Sequence, residues 1–206
     1  MYKKLFQHAR ERSDVWIFST MLISACLSLI AAFVLSVDAL EIAKNPNAAL
    51  SCSINTVINC ASVMRHPSSE LFGFPNSYLG LIAEPIVITV AIAGLAGVRF
   101  PKPFMAAAQV GYAAGFIFAY YLFLESFLVI GALCPWCLLV TLSTTLVFMS
   151  LLHYNIREDN LYLSEKHSKA LKRWIKQGYD RLFTAILLTA LVFLILFKYH
   201  EGLFGS

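Results

Sequence analysis

Charge is what this chain has least of. Asp, Glu, Lys and Arg make up 14% of its 206 residues, and 59% are hydrophobic. A soluble domain holds about a quarter charged residues and is roughly half apolar, so a water-soluble globule is excluded. The mean hydropathy of +0.70 says the same. Internal repeats and low-complexity stretches are missing, so neither a repeat array nor a biased linker organises the chain. The net charge of +4 is small and needs no nucleic-acid partner to explain it. Cysteine is sparse too, at five residues, yet four of the five fall in two pairs.

What the chain does have is long apolar runs. Five are long enough to cross ~30 Å of hydrocarbon at about 1.5 Å per residue: 15–37, 78–98, 104–130, 133–152 and 182–199. The expected fold is therefore an all-α integral membrane protein. The first run is too long for a signal peptide, and no small-residue cleavage motif follows it, so it is read as retained. Almost nothing polar separates the third run from the fourth. Only Gly131 and the Cys134–Pro135 pair interrupt them, which places the turn at Gly131 and a helix start near Cys134.

Basic residues sort by loop. They gather at the N-terminus (Lys3, Lys4, Arg10, Arg12), between spans two and three (Arg99, Lys102), and between spans four and five (Arg157, Lys166, Lys169, Lys172, Arg173, Lys176, Arg181). Lys44, Arg65 and Lys198 alone fall on the other side. The positive-inside rule then puts the N-terminus in the cytoplasm and the C-terminus outside. Segment 153–180 has apolar residues at rough helical spacing among lysines, which suggests a basic amphipathic helix on the inner membrane surface; a solvated linker is the alternative. The outer loop, 38–77, is apolar enough that "AALSCSINTVINCASVM" is expected to form a short helix capping the bundle mouth.

This topology puts Cys52 and Cys60 in the outer loop and Cys134 and Cys137 at the outer end of span four. All four face the oxidising compartment. Cys26, mid-span, reads as a small hydrophobe. Paired cysteines bind a metal, exchange disulfides or fill space. Zinc is disfavoured: Cys52 and Cys60 are eight apart, and structural zinc sites use tight spacing in both pairs. "CPWC" has the spacing of a dithiol that closes on itself, and Cys134 at a helix N-terminus would be stabilised as a thiolate. A loop pair on the same side makes two disulfides in series, an electron relay from water into the membrane. Four purely structural cysteines are the alternative. A relay into lipid needs an acceptor there, and the natural two-electron acceptor dissolved in lipid is a quinone.

At this point "CSINTVINC", "VMRHPSSELFGFPNSYLG" and "LCPWC", in that order, resemble the vitamin K epoxide reductase family in its bacterial thiol-oxidising branch. The resemblance runs over residues 15–152. It implies a four-helix bundle around a quinone, capped by the first loop, with Cys134 and Cys137 as the active-site pair and Cys137 beside the quinone. By the same resemblance Cys52 and Cys60 are the loop shuttle pair, and Asn76 hydrogen-bonds a quinone carbonyl. The chain departs from the family pattern at His66, where a Ser or Thr is usual, and at Thr141, where the animal enzymes have tyrosine. Many bacterial members continue into a fused thioredoxin-like domain, whereas only "HEGLFGS" follows Tyr199 here.

The expected organisation is a catalytic bundle over 1–152, a basic linker or interfacial helix over 153–181, and a fifth helix with a short outer tail over 182–206. The expected activity is that of a thiol:quinone oxidoreductase, with a menaquinone- or ubiquinone-type acceptor and no metal. It would reoxidise a separate DsbA-like, thioredoxin-fold partner on the outer side and so drive disulfide formation. Two alternatives stand beside it, a vitamin K epoxide or quinone reductase and a non-enzymatic membrane protein with structural disulfides. A quinone also needs protons. Glu84 and Glu125, each about 9 Å deep in a span, and His66 are candidate proton donors. The aromatic run Phe116, Phe118, Tyr120, Tyr121 and Phe123 reads as bundle packing.

Overall fold

The computed structural model describes the backbone of residues 2–204 and the side chains of residues 13–200. The basic side chains at positions 3, 4, 10 and 12 therefore lie outside the described residues, as do the side chains of the tail after His200.

Among the described residues, five helices are long and apolar enough to cross a membrane. Helix α1 (Tyr2–Lys44) is one uninterrupted element, because nothing in its apolar run breaks it until Asn45–Pro46. Helix α3 (Ser77–Leu95) carries Pro85 inside it and ends in a glycine cap. Gly97 sits at φ +87°, and the Val98 N–H bonds back to Ala93 O at 2.9 Å. Helix α4 (Lys102–Leu124) runs on into a π-helical turn, Glu125–Ile130. Helix α5 (Pro135–Arg157) follows, then a short polar helix α6 (Glu165–Lys176) and α7 (Tyr179–Phe204). The span boundaries read from hydropathy agree with these to within a few residues at most ends. The break at Gly131 is real: it sits at φ +71°, left-handed, with its N–H on Ser126 O at 3.1 Å.

Helix α1 lies centrally, packed on α3 and α5, and α4 packs on α5. At the end of the bundle that holds the basic loops, the interior holds a close-packed apolar cluster. Ile17, Phe18, Met21, Ala91, Met105, Val147, Leu151 and Tyr154 are all buried in one cluster. Phe18 is packed so closely on α3 that a Cβ at Gly94 would lie 2.5 Å from its ring. A charged knot ties the helices there. Arg157 bonds Asp14 and, at 3.0 Å, Glu158, while Arg99 reaches Asp14 at 3.2 Å.

Helix α7 is peripheral, and most of its apolar side chains face outward. Two clasps hold it. At one end His153 Nδ1 meets Asp180 Oδ2 at 2.5 Å. At the other, the Tyr199 hydroxyl donates to Phe127 O at 3.0 Å, Lys198 donates to the same carbonyl, and the Tyr199 ring meets the Phe127 ring edge-on at 5.6 Å.

The long loop after α1 does not form the capping helix expected over 48–64. Only Cys60–Arg65 is α-helical (α2), followed by a 3-10 turn at Pro67–Glu70. The physical reason lies in the asparagines. Asn55 Oδ1 takes the N–H groups of Val57 and Ile58 at 2.9 and 2.6 Å, which folds 53–59 into a tight turn, and Asn59 caps α2 by accepting from Ser62 N–H at 3.0 Å.

Candidate active site

The two cysteine pairs belong to one buried cluster, with Leu35, Leu50 and Ala61 around them. Cys52 and Cys60 are joined in a disulfide, with Cα atoms 5.6 Å apart. Cys134 and Cys137 are free thiols. Backbone pairing brings the two segments together: Leu133 N–H donates to Val57 O at 2.7 Å, and Asn59 N–H donates to Leu133 O at 3.0 Å. Residues 59 and 133 are thus bonded neighbours, and Cys60 and Cys134 follow them directly. Three of the four are buried, Cys52 at 8% exposure, Cys60 not exposed at all and Cys134 at 1%, while Cys137 is half-buried.

Cys134 is the N-cap of α5, extended at φ −108° and ψ 116°, with Pro135 as the first helical residue. Its Sγ accepts the Cys137 N–H at 3.4 Å. A hydrogen bond from the Cys137 side chain lowers the Cys134 thiol below its ordinary value, burial opposes this, and the backbone N–H groups of Cys137 and Trp136 assist. Cys134 is therefore the more readily ionised thiol of the pair.

Below the cysteines, α1, α3, α4 and α5 enclose a cavity of about 480 Å³. Its wall is mostly apolar, with a few convergent polar groups: Asn76, Glu84, Tyr112 and Thr141 beside Cys134 and Cys137. Glu84, 4% exposed, accepts from Ser28 Oγ at 2.8 Å and from Tyr112 Oη at 3.3 Å. Asn76 Nδ2 donates to Ser68 O at 2.7 Å and its Oδ1 accepts from Leu71 N–H at 3.3 Å, so Asn76 also staples the loop over the cavity. One amide hydrogen remains for a ligand.

The other two candidate proton donors stand apart. His66 is half-buried and does not border the cavity. Its Nδ1 accepts the Ser68 N–H at 3.3 Å, so the Ser68 hydroxyl, 2.8 Å away, donates to the same nitrogen. Ser68 itself is on the cavity wall, which restores a hydroxyl near the position where His66 replaces one. Glu125 opens the π-turn, half-buried and off the cavity. Phe118 and Phe123 line the cavity rather than merely packing, whereas Phe116 stacks on Phe148 at 4.6 Å as packing would have it. No cluster of metal-ligating side chains exists among the described residues.

Sequence reasoning missed Asp38. Its Oδ2 lies 3.8 Å from Cys52 Sγ. An acid at the end of an apolar run looks like an ordinary span boundary, and no spacing signal links it to a cysteine fourteen residues on. Ser28 and Tyr112 were missed for the same reason, since only the fold brings them to Glu84.

Fold and site together define a membrane-embedded redox protein, two cysteine pairs set over an apolar chamber within a helical bundle. Residues 19–152 match the vitamin K epoxide reductase family, and the chain belongs to that family. Membership makes it a membrane oxidoreductase of quinone-linked chemistry. The curated proteins offer no significant match to the chain.

Proposed function

We propose that this protein is a thiol:quinone oxidoreductase that draws electrons from a separate thioredoxin-fold dithiol protein and so drives disulfide formation. The observation that carries the reading is the meeting of both cysteine pairs in one cluster, with Cys134 and Cys137 on the wall of one apolar chamber. The basic loops lie at the far end of the bundle, which supports placing the cysteine end on the exterior or periplasmic side and the N-terminus in the cytoplasm.

The chamber's volume, its apolar wall and its few polar groups suit a quinone head group. A quinone bound there supplies a two-electron, two-proton acceptor. Asn76 would orient it with the spare amide hydrogen, and Glu84, the one candidate donor on the wall, would hold a proton at Oε1 or Oε2 for it. The protein's own steps are thiol–disulfide exchanges. A donor thiolate attacks Cys52, the most exposed of the three buried cysteines, and the loop pair is reduced. Cys60 then attacks Cys134, displacing the Cys137 thiolate, and Cys52 closes on Cys60 to regenerate the loop disulfide. Cys137, on the chamber wall, gives up the electron pair.

The test is direct. Purified protein mixed with reduced thioredoxin and a naphthoquinone should consume quinone and oxidise the donor in equal amounts. Donor oxidation without quinone loss, or no turnover at all, overturns the reading. A parallel assay with the quinone epoxide separates it from an epoxide reductase.

A further inference from the structure

The relay just described leaves one proton without a carrier. When Cys60 and Cys134 are joined in the mixed disulfide, Cys52 must lose its proton before it can attack Cys60. A free thiol has a pKa of about 8.5, so at neutral pH only a few per cent is thiolate. Something beside Cys52 should take that proton.

We propose that Asp38 is the catalytic base for Cys52, accepting its thiol proton as the loop disulfide closes. This rests on the thiol–quinone reading, and three observations support it. First, Asp38 Oδ2 is the polar atom against Cys52 Sγ, at 3.8 Å. In the oxidised loop that sulfur bears no hydrogen; once reduced, the thiol has the carboxylate as its acceptor. Second, Asp38 has no cation to neutralise it among the described residues, and Glu41, one turn along α1, is a like charge. A half-buried carboxylate without a cation costs stability, and nothing in the packing of α1 requires one there. Third, the Asp38 charge works against ionisation of Cys134, although the hydrogen bonds to that sulfur prevail. The groups around Asp38 are thus Glu41 on its own helix, Cys52 on the loop and Cys134 at the head of α5.

The step balances. Asp38 takes the proton from Cys52. The Cys52 thiolate attacks Cys60 Sγ, the Cys52–Cys60 bond forms, and the Cys60–Cys134 bond breaks with its electron pair leaving on Cys134. The proton stays on Asp38, and Cys134 is left as the thiolate. The loop pair is oxidised, the inner pair is reduced, and no proton is gained or lost.

Asp38→Asn keeps the shape and removes the base. With reduced thioredoxin as donor and menadione as acceptor, its turnover at pH 7 should fall about tenfold or more. The deficit should shrink as pH rises, to within about twofold near pH 9, where Cys52 ionises unaided. Acid quenching, alkylation and peptide mapping during turnover at pH 7 should find the Cys60–Cys134 disulfide accumulating in Asp38→Asn and not in the wild type. Asp38→Glu should recover most of the rate. Asp38→Ser takes the place of Asp38→Asn, with the same expectations, if the amide does not reach the membrane. A smaller loss at pH 7, or a loss undiminished at pH 9, overturns the assignment. Failure of the wild type to turn over would instead sink the thiol–quinone reading.

Discussion

The two halves of the bundle are built on opposite terms. At the basic end, side chains such as Phe18, Met105 and Val147 pack closely between the helices, and an Arg157–Asp14–Arg99 knot closes the rim. At the cysteine end the same four helices stand around about 480 Å³ of open chamber. The glycines show the contrast in miniature. A methyl group at Gly94 would collide with the Phe18 ring, whereas one at Gly111, on the chamber wall, would meet nothing within 4 Å. Close apolar packing belongs to the basic half, and open space and reactive sulfur belong to the other.

Substitutions can break that division, and the largest effect belongs to the open half. Cys137→Ala should abolish quinone reduction while the Cys52–Cys60 disulfide still forms, because the electrons leave through the thiolate on the chamber wall. A quinone-loss assay paired with thiol mapping would show it, and wild-type turnover would contradict it. Next, Glu84→Gln keeps the contact with Ser28 but cannot hold a transferable proton. Its kcat should fall about 100-fold, with thermal stability near wild type; an unchanged kcat removes Glu84 from the proton path.

The filled half should answer in stability instead. Gly94→Ala overpacks against Phe18 and should cost about 1–3 kcal/mol, read as a lowered thermal midpoint in detergent. Gly111→Ala, into open space, should leave the midpoint unchanged or raise it slightly, since alanine is the better helix former by about 1 kcal/mol. Equal midpoints for the two variants would erase the contrast. Among the kinetic effects, the smallest is expected from Asn76→Ala. Losing one amide hydrogen bond to the acceptor, worth about 0.5–1.5 kcal/mol, should lower kcat/KM by about 2- to 13-fold.

Much of the fold was legible in the sequence because lipid imposes a simple rule: apolar runs of sufficient length are spans, and Gly131 and Pro135 mark the one turn too short to show in hydropathy. The four cysteines were legible by spacing. Loop 48–64 was not, because helical spacing of apolar residues there competes with asparagine side chains that bond the backbone at once, and the asparagines prevail. Depth alone also failed to separate Glu84 from Glu125, which sit equally far into their spans. Rotation about the helix axis decides, and at Glu125 the π-turn begins to change that rotation. Asp38, Ser28 and Tyr112 needed the fold, since each gains its meaning from a residue distant in sequence.

The double clasp on α7 bears on how the molecule is made. Among the helices described, α7 follows all the others in the chain, so it leaves the ribosome last. Spans one to four can already associate by then, through the packing of α1 on α3 and α5. The Phe127 carbonyl, seven residues before Cys134, gains its Tyr199 and Lys198 donors only when α7 arrives. Assembly thus has a sequence written into it, in which the scaffold settles first and the segment leading to the reactive cysteines is fastened only once α7 has been made.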